Sequence, residues 1–254
     1  MVYEGCVISH GGRIRTNNED NAYLNGVYRK DDTVFEWEAS CSTENNILAA
    51  VFDGMGGGAD GEIASRMAAE AMCLQADGCF SDIADKYTVE TSAQVASYHS
   101  RRDMGTTFVA VSIEENRYHF FNVGDSKGYL FRDGSLQQLT RDHNLPESLY
   151  YTGLLTRTQA DRHPERNTLS QYLGLKLEDE VVQPECYRSK PVAGRTGDIC
   201  LLCSDGLTGL VTGEQIARIL GEKHSLAGKA KQLLEEAMSA GGRDNVTIIL
   251  LESM

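Results

Sequence analysis

Short apolar runs separated by polar turns dominate the chain. Seven of them, YEGCVIS (3–9), ILAAVF (47–52), TTFVAVSI (106–113), RYHFFNV (117–123), KGYLFRD (127–133), DICLLCS (198–204) and NVTIILLE (245–252), are too short for ordinary helices and often β-branched or aromatic. They predict strands. The pieces from 106 to 139 are separated only by EEN, GDS and DGS, turn sequences that describe an antiparallel meander.

A helical period governs three other stretches. EIASRMAAEAMCLQA (62–76) places apolar residues at 63, 67, 71 and 74, and SLAGKAKQLLEEAMSA (225–240) at 226, 230, 233, 234 and 237. GEQIARIL (213–220) follows Thr212, with Gln215 three residues on, the pattern of a capping box. Strands in meanders and helices in separate blocks predict an α+β layered fold, not alternating βαβ units. No repeat of 20–50 residues is visible. The polar stretch 141–173 includes ESLYYTGLLT, predicted helical, and ends near HPERN. Such a long irregular insert between strands predicts a functional flap over about 141–170. A second polar stretch, 24–46, carries the sole tryptophan, Trp37, and reads as an extended hairpin, with an edge for a docking partner as the alternative.

Composition narrows the function classes. At 254 residues without an internal linker, the chain is read as one domain, 1–254. The net charge of −13, with no basic stripe, excludes nucleic acid as the expected partner. No run approaches the ~18 apolar residues of a membrane span, and the first residues lack the pattern of a secretory signal, so a cytoplasmic protein is expected. The seven cysteines have no regular spacing and read as reduced thiols. Cys200 and Cys203 form a CxxC inside a predicted strand, where residues three apart face opposite sides and do not share a metal.

The stretch ILAAVFDGMGGGADGE (47–62) is the first candidate for chemistry. A P-loop requires a lysine, and none occurs between Lys30 and Lys86. Gly56, Gly58 and Gly61 satisfy the spacing of a dinucleotide fingerprint. However, no second strand follows at 77–87, and Asp53 would repel a pyrophosphate. The third reading makes Asp53 a ligand for a hard cation at a strand end, with glycines keeping the approach clear. Other acids stand in the same way: Asp205 in LLCSDG, Asp125 in NVGDS, Asp244 in GGRDN, and Glu19 with Asp20 in RTNNED. Two carboxylates ~4 Å apart repel by ~4 kcal/mol at an effective dielectric near 20, so a cluster implies cations. Oxygen-only ligands favour Mg²⁺ or Mn²⁺ over zinc.

With these residues in view, the sequence resembles the metal-dependent Ser/Thr protein phosphatases of the type 2C (PPM) family, in their short bacterial form. The resemblance runs nearly end to end through GGRIRTNNED, VFDGMGGGADGE, MGTTFVAV, FFNVGDSKGYLFRDG, LTRDHN, TGLLTRTQADRHPERNTLSQYLG, LLCSDGLTG and GGRDNVTIILL. It implies a β-sandwich of two antiparallel sheets flanked by helices (α-β-β-α layers), with the metal site in the cleft between the sheets. It also implies hydrolysis of phosphoserine and phosphothreonine by a water bridging two Mn²⁺ or Mg²⁺ ions. On this chain Asp53 would bridge both ions and the Gly54 carbonyl would bind one. Glu19, Asp205 and Asp244 would bind the other, and Asp20 would order the surrounding water. Asp125 with Asp205 matches a third, weaker ion site, and Arg15 the phosphate-binding arginine. The resemblance also suggests phosphoprotein substrates, a bacterial Ser/Thr kinase as counterpart, and a monomer. Thr106 and Thr107 would order the strand without reacting. Met55 stands where many eukaryotic relatives carry a histidine proposed as the general acid, leaving His143 and His163 as candidates. A non-catalytic member that kept the fold would usually lack metal ligands, and none is missing here.

Overall fold

A computed structural model describes all residues except 45, 57–59, 76–77, 99–103 and 179. Two antiparallel sheets carry the structure. The first, six-stranded, contains β1 (Tyr3–His10), β4 (Glu36–Thr43), β10 (Lys127–Arg132), β11 (Ser135–Gln138), β16 (Ile199–Cys203) and β17 (Val246–Ser253), in the order β11-β10-β16-β17-β1-β4. The second contains β2 (Asn21–Leu24), β3 (Val27–Tyr28), β5 (Ile47–Phe52), β8 (Phe108–Glu114), β9 (Arg117–Val123) and β14 (Tyr187–Arg188), in the order β14-β9-β8-β5-β2-β3, and β15 (Val192–Ala193) also pairs with β9. Two small ribbons complete the strands: β6 (Gly54–Met55) with β7 (Gly105–Thr106), and β12 (Lys176–Leu177) with β13 (Glu180–Val181).

Both faces of each sheet are covered over its central strands, which is why those strands read as continuous apolar runs. Val7, Val51, Val109, Phe120, Leu202 and Ile249 fill the space between the sheets. The outer face of the first sheet packs Leu201, Ile248 and Leu250 against α6 (Gly213–Leu220) and α7 (Leu226–Ser239). The outer face of the second packs Phe52, Phe108 and Phe121 against α1 (Gly61–Gln75) and α2 (Phe80–Ser97). The layers are therefore helix, sheet, sheet, helix, as expected. Cys200 lies in the core between the sheets and Cys203 in the core under the helices. The two thiols thus face opposite ways, and burial pushes Cys203 up to about 12. All seven cysteines are unbridged.

The meander is as expected, with turns that need left-handed residues: Glu115 and Asn116 (φ 48° and 60°), then Asp133 and Gly134 (φ 53° and 77°). Thr212 and Gln215 form the reciprocal capping box of α6. Three expectations shift. In α1 the buried side is mainly alanine, Ala64, Ala68, Ala69 and the expected Ala71, with Met72, while Leu74 is 78% exposed. The strand read over 106–113 is broken at Thr107. The helix read over 147–156 covers Leu145–Tyr151 (α3), and a second short one, α4, covers Arg157–Asp161. Among the described residues no helix is long and apolar enough to cross a membrane.

Candidate metal centre

The acids gather because the strands that carry them end at the same edge of the sandwich. Asp53 follows β5 in the second sheet, Asp205 follows β16 in the first, and Asp244 precedes β17, the neighbour of β16. Asp125 lies in the turn between β9 and β10, where the chain passes from one sheet to the other. Glu19 and Asp20 lie just before β2. Arg15, Glu19, Asp53, Gly54, Asp125, Asp205 and Asp244 line one cavity of about 850 Å³, with Met55, Thr107, Asn167 and Tyr172. A neighbouring cavity of about 520 Å³ shares Asp125, Asn167, Asp205 and Asp244 and reaches under α3 and α4.

The glycine turn serves close packing. A Cβ on Gly54 would lie 2.2 Å from the Gly61 carbonyl oxygen and 2.4 Å from that of Glu19. Only glycine lets the β6 ribbon, the start of α1 and the acidic loop meet. Asp53 is held from the main chain: its N–H donates to Thr107 Oγ1 (3.0 Å), and its carbonyl accepts from Thr107 N (2.9 Å) and Thr106 Oγ1 (3.0 Å). The threonines thus order the strand, as expected. Gly57, Gly58 and Ala59 lie outside the described residues.

Asn245, overlooked in the sequence, joins the acidic loop to β17. It accepts from the Glu19 N–H (2.8 Å) and donates to the Gly11 and Asn17 carbonyls (2.9 Å each). Its signal was an amide directly beside Asp244. Ser204, directly before Asp205, donates to Asp20 Oδ2 at 2.8 Å. Asp20 is fully buried, and among the described residues its Oδ1 has no hydrogen-bond partner.

Electrostatics show a site short of positive charge. Burial first, then Asp20, Asp205, Asp125 and Asp244, push the Asp53 carboxyl well above its ordinary range. Burial also carries Asp20 and Asp125 up to about 7, and Asp205 adds to both shifts. Glu19 and Asp205 are raised chiefly by burial. Arg15 Nη2 donates to Asp244 Oδ2 at 2.7 Å. Among the described residues no three acidic, histidine or cysteine side chains form a ready-made cage for one ion. The donor set still fits hard divalent cations: oxygen ligands, an orphaned buried carboxylate oxygen, and carboxyls that mutual repulsion keeps from ionising together.

Neither candidate acid lines either cavity. His143 Nδ1 accepts from the Gly124 N–H (3.1 Å), and burial lowers its pKa, so it is a neutral structural group. His163 Nδ1 accepts from the Glu165 N–H (3.2 Å).

The protein phosphatase 2C family model matches residues 23–240. The chain is 36% identical over 253 residues to the serine/threonine phosphatase stp of Listeria welshimeri, covering 95% of this chain and 92% of that one. The catalytic domain of the serine threonine protein phosphatase PstP, solved with two manganese ions, superposes with a TM-score of 0.75 at 30% identity over 99% of each chain. Stp1 of Staphylococcus aureus superposes with a TM-score of 0.80 at 26% identity, over 98% of this chain and 94% of that one. The family model, the relatives and the solved structures agree, and the chain belongs to the protein phosphatase 2C (PPM) family, in its bacterial form.

Proposed function

We propose that this chain is a Mn²⁺- or Mg²⁺-dependent phosphatase of phosphoserine and phosphothreonine proteins, a bacterial Ser/Thr kinase being its natural counterpart. One observation carries the reading: acids from separate motifs, with Arg15 among them, line a single cleft between the two sheets. Asp53, the Gly54 carbonyl, Glu19, Asp205 and Asp244 would hold two divalent ions, and Asp125 with Asp205 a third, weaker one. When bound, such ions supply Lewis acidity and a water nucleophile usable at neutral pH.

The chain's own residues do the rest. Arg15 is half exposed at the cleft, where its planar guanidinium can exchange the Asp244 carboxylate for two phosphate oxygens. Asp20 keeps one oxygen on Ser204 and offers the other to ordered water. Thr107 and Asn245 keep Asp53 and Glu19 in place through the main chain. The flap over 141–170 roofs the adjoining cavity, a position from which it can select among phosphoproteins. The test is hydrolysis of a phosphothreonine peptide with and without Mn²⁺, beside Asp53→Ala. Turnover should require Mn²⁺ and be abolished by the substitution. Activity that ignores EDTA or survives in Asp53→Ala would sink the proposal.

A further inference from the structure

The stretch between β2 and β4 contains no ligand, yet it buries a charge. Arg29 is 2% exposed. Its Nη2 donates to the carbonyls of Asn18 (2.8 Å) and Asp20 (2.5 Å), and its Nη1 to that of Val34 (2.5 Å). The first two carbonyls belong to the residues on either side of Glu19, so one guanidinium grips the acidic loop before and after that side chain. Its own main chain is pinned by Asn21, which accepts from the Arg29 N–H (3.2 Å) and donates to the Arg29 carbonyl (2.9 Å).

The neighbours of Arg29 brace the same loop. The Val34 N–H donates to the Asp31 carbonyl (3.3 Å), and the Thr33 N–H to Asp31 Oδ1 (2.9 Å), which sets the turn that presents the Val34 carbonyl. The Phe35 carbonyl accepts from the Gly11 N–H (3.0 Å) and Asn18 Nδ2 (3.1 Å). The Phe35 ring fills the space over Gly11, where a Cβ would lie 2.1 Å from Cε2. Arg66 Nε reaches both Asp32 oxygens, at 3.0 and 2.8 Å, tying the buttress to α1.

A buried guanidinium is expensive, and an apolar side chain would fill the volume at lower cost. Burial lowers the Arg29 pKa, and among the charges opposing that shift Asp20 comes first, ahead of Asp32. The cation thus stands behind the carboxylates, on ground that its fork fits and an ammonium would not.

We propose that Arg29 is a positioning residue for the divalent-ion site, holding residues 18–20 in the conformation that presents Glu19 and Asp20. This rests on the metal-dependent reading above. The test is calorimetric titration of Mn²⁺ into the wild type, Arg29→Met, Arg29→Lys and Leu233→Ala, below the melting temperature of each. Leu233 is buried in the helix-side core and lines neither cavity, so its variant reports destabilisation alone. Removing such a support costs on the order of tenfold in metal affinity. Arg29→Met should lose about that much and Arg29→Lys less, while Leu233→Ala binds as the wild type does. The Mn²⁺ concentration for half-maximal peptide hydrolysis should rise in parallel, with kcat at saturating Mn²⁺ little changed. Should Arg29→Met not fold, Arg29→Lys decides. Wild-type affinity in a folded Arg29 variant overturns the proposal, as does equal weakening in Leu233→Ala. A wild-type protein that binds no Mn²⁺ overturns the metal-dependent reading itself.

Discussion

At Gly54 a missing side chain lets three pieces of backbone meet. The nearest atoms a Cβ would strike are the carbonyl oxygens of Gly61 and Glu19, which cannot swing aside as a flexible side chain would. Gly54→Ala should therefore cost about 1–3 kcal/mol, the usual price of overpacking. It should also displace Glu19 and reduce Mn²⁺-dependent turnover; urea denaturation and the peptide assay measure the two effects. The acids themselves were legible, because each stands in or beside a turn at a strand end, and two of them, Asp53 and Asp205, are followed by glycine. Asn245, Ser204 and Arg29 were not, because their acidic-loop partners lie 184 or more residues away for the first two, and 9 and 11 residues back for Arg29. No local pattern encodes such pairings. Asp20 was legible as an acid but not as an acid with one oxygen unpartnered, which only burial reveals.

Among the elements, those with strong periodicity or a complete local signal emerged from the pattern, and the others did not. The capping box of α6 is one such signal. Its Thr212 side chain accepts from the Gln215 N–H, and the Gln215 side chain accepts from the Thr212 N–H. Thr212→Ala should cost about 1 kcal/mol, seen as a lower urea midpoint at unchanged m-value, with peptide hydrolysis untouched. Helix α2 escaped notice because its buried stripe mixes Phe80, Tyr87 and Val95 with Thr88, Thr91 and Ser92. Thr88 satisfies its hydroxyl on the Ala84 carbonyl at 2.7 Å, so a polar letter occupies a core position. The stretch 24–46, read as an extended hairpin, instead sends β3 to β2 in the second sheet and β4 to β1 in the first, and β4 gave no strong signal because its sides alternate between half-buried and exposed. In α1 Leu74 misled, while Ile63 and Met67 pack beside Val95 of α2 and the alanines face the sheet and let the helix approach closely.

For the whole molecule, the two ends of the sandwich treat their carboxylates differently. One end carries the carboxylate cleft. At the other, Asp198, before β16, accepts from Arg132 on β10 (2.7 and 2.6 Å), the Arg195 N–H (2.7 Å) and the Tyr118 hydroxyl on β9 (3.0 Å). Burial alone would raise the Asp198 carboxyl, but these donors hold it below its ordinary value. A depressed carboxyl contributes stability that is complete above its unfolded pKa of ~3.9 and is lost as pH falls through its folded value. Asp198→Asn should therefore lower the melting temperature at pH 7 and narrow its gap to the wild type below pH 4, as calorimetry across that range will show. The cleft has a further geometric property. Asp53 is carried by one sheet, and Asp205 and Asp244 by the other. Their separation is thus set by the thickness of the side-chain layer between the sheets, and Val109, Phe120 and Leu202 work as a gauge block. A methylene added there, with no ligand altered, would widen the jaws, so the inter-sheet core carries a dimensional tolerance set by chemistry at its rim.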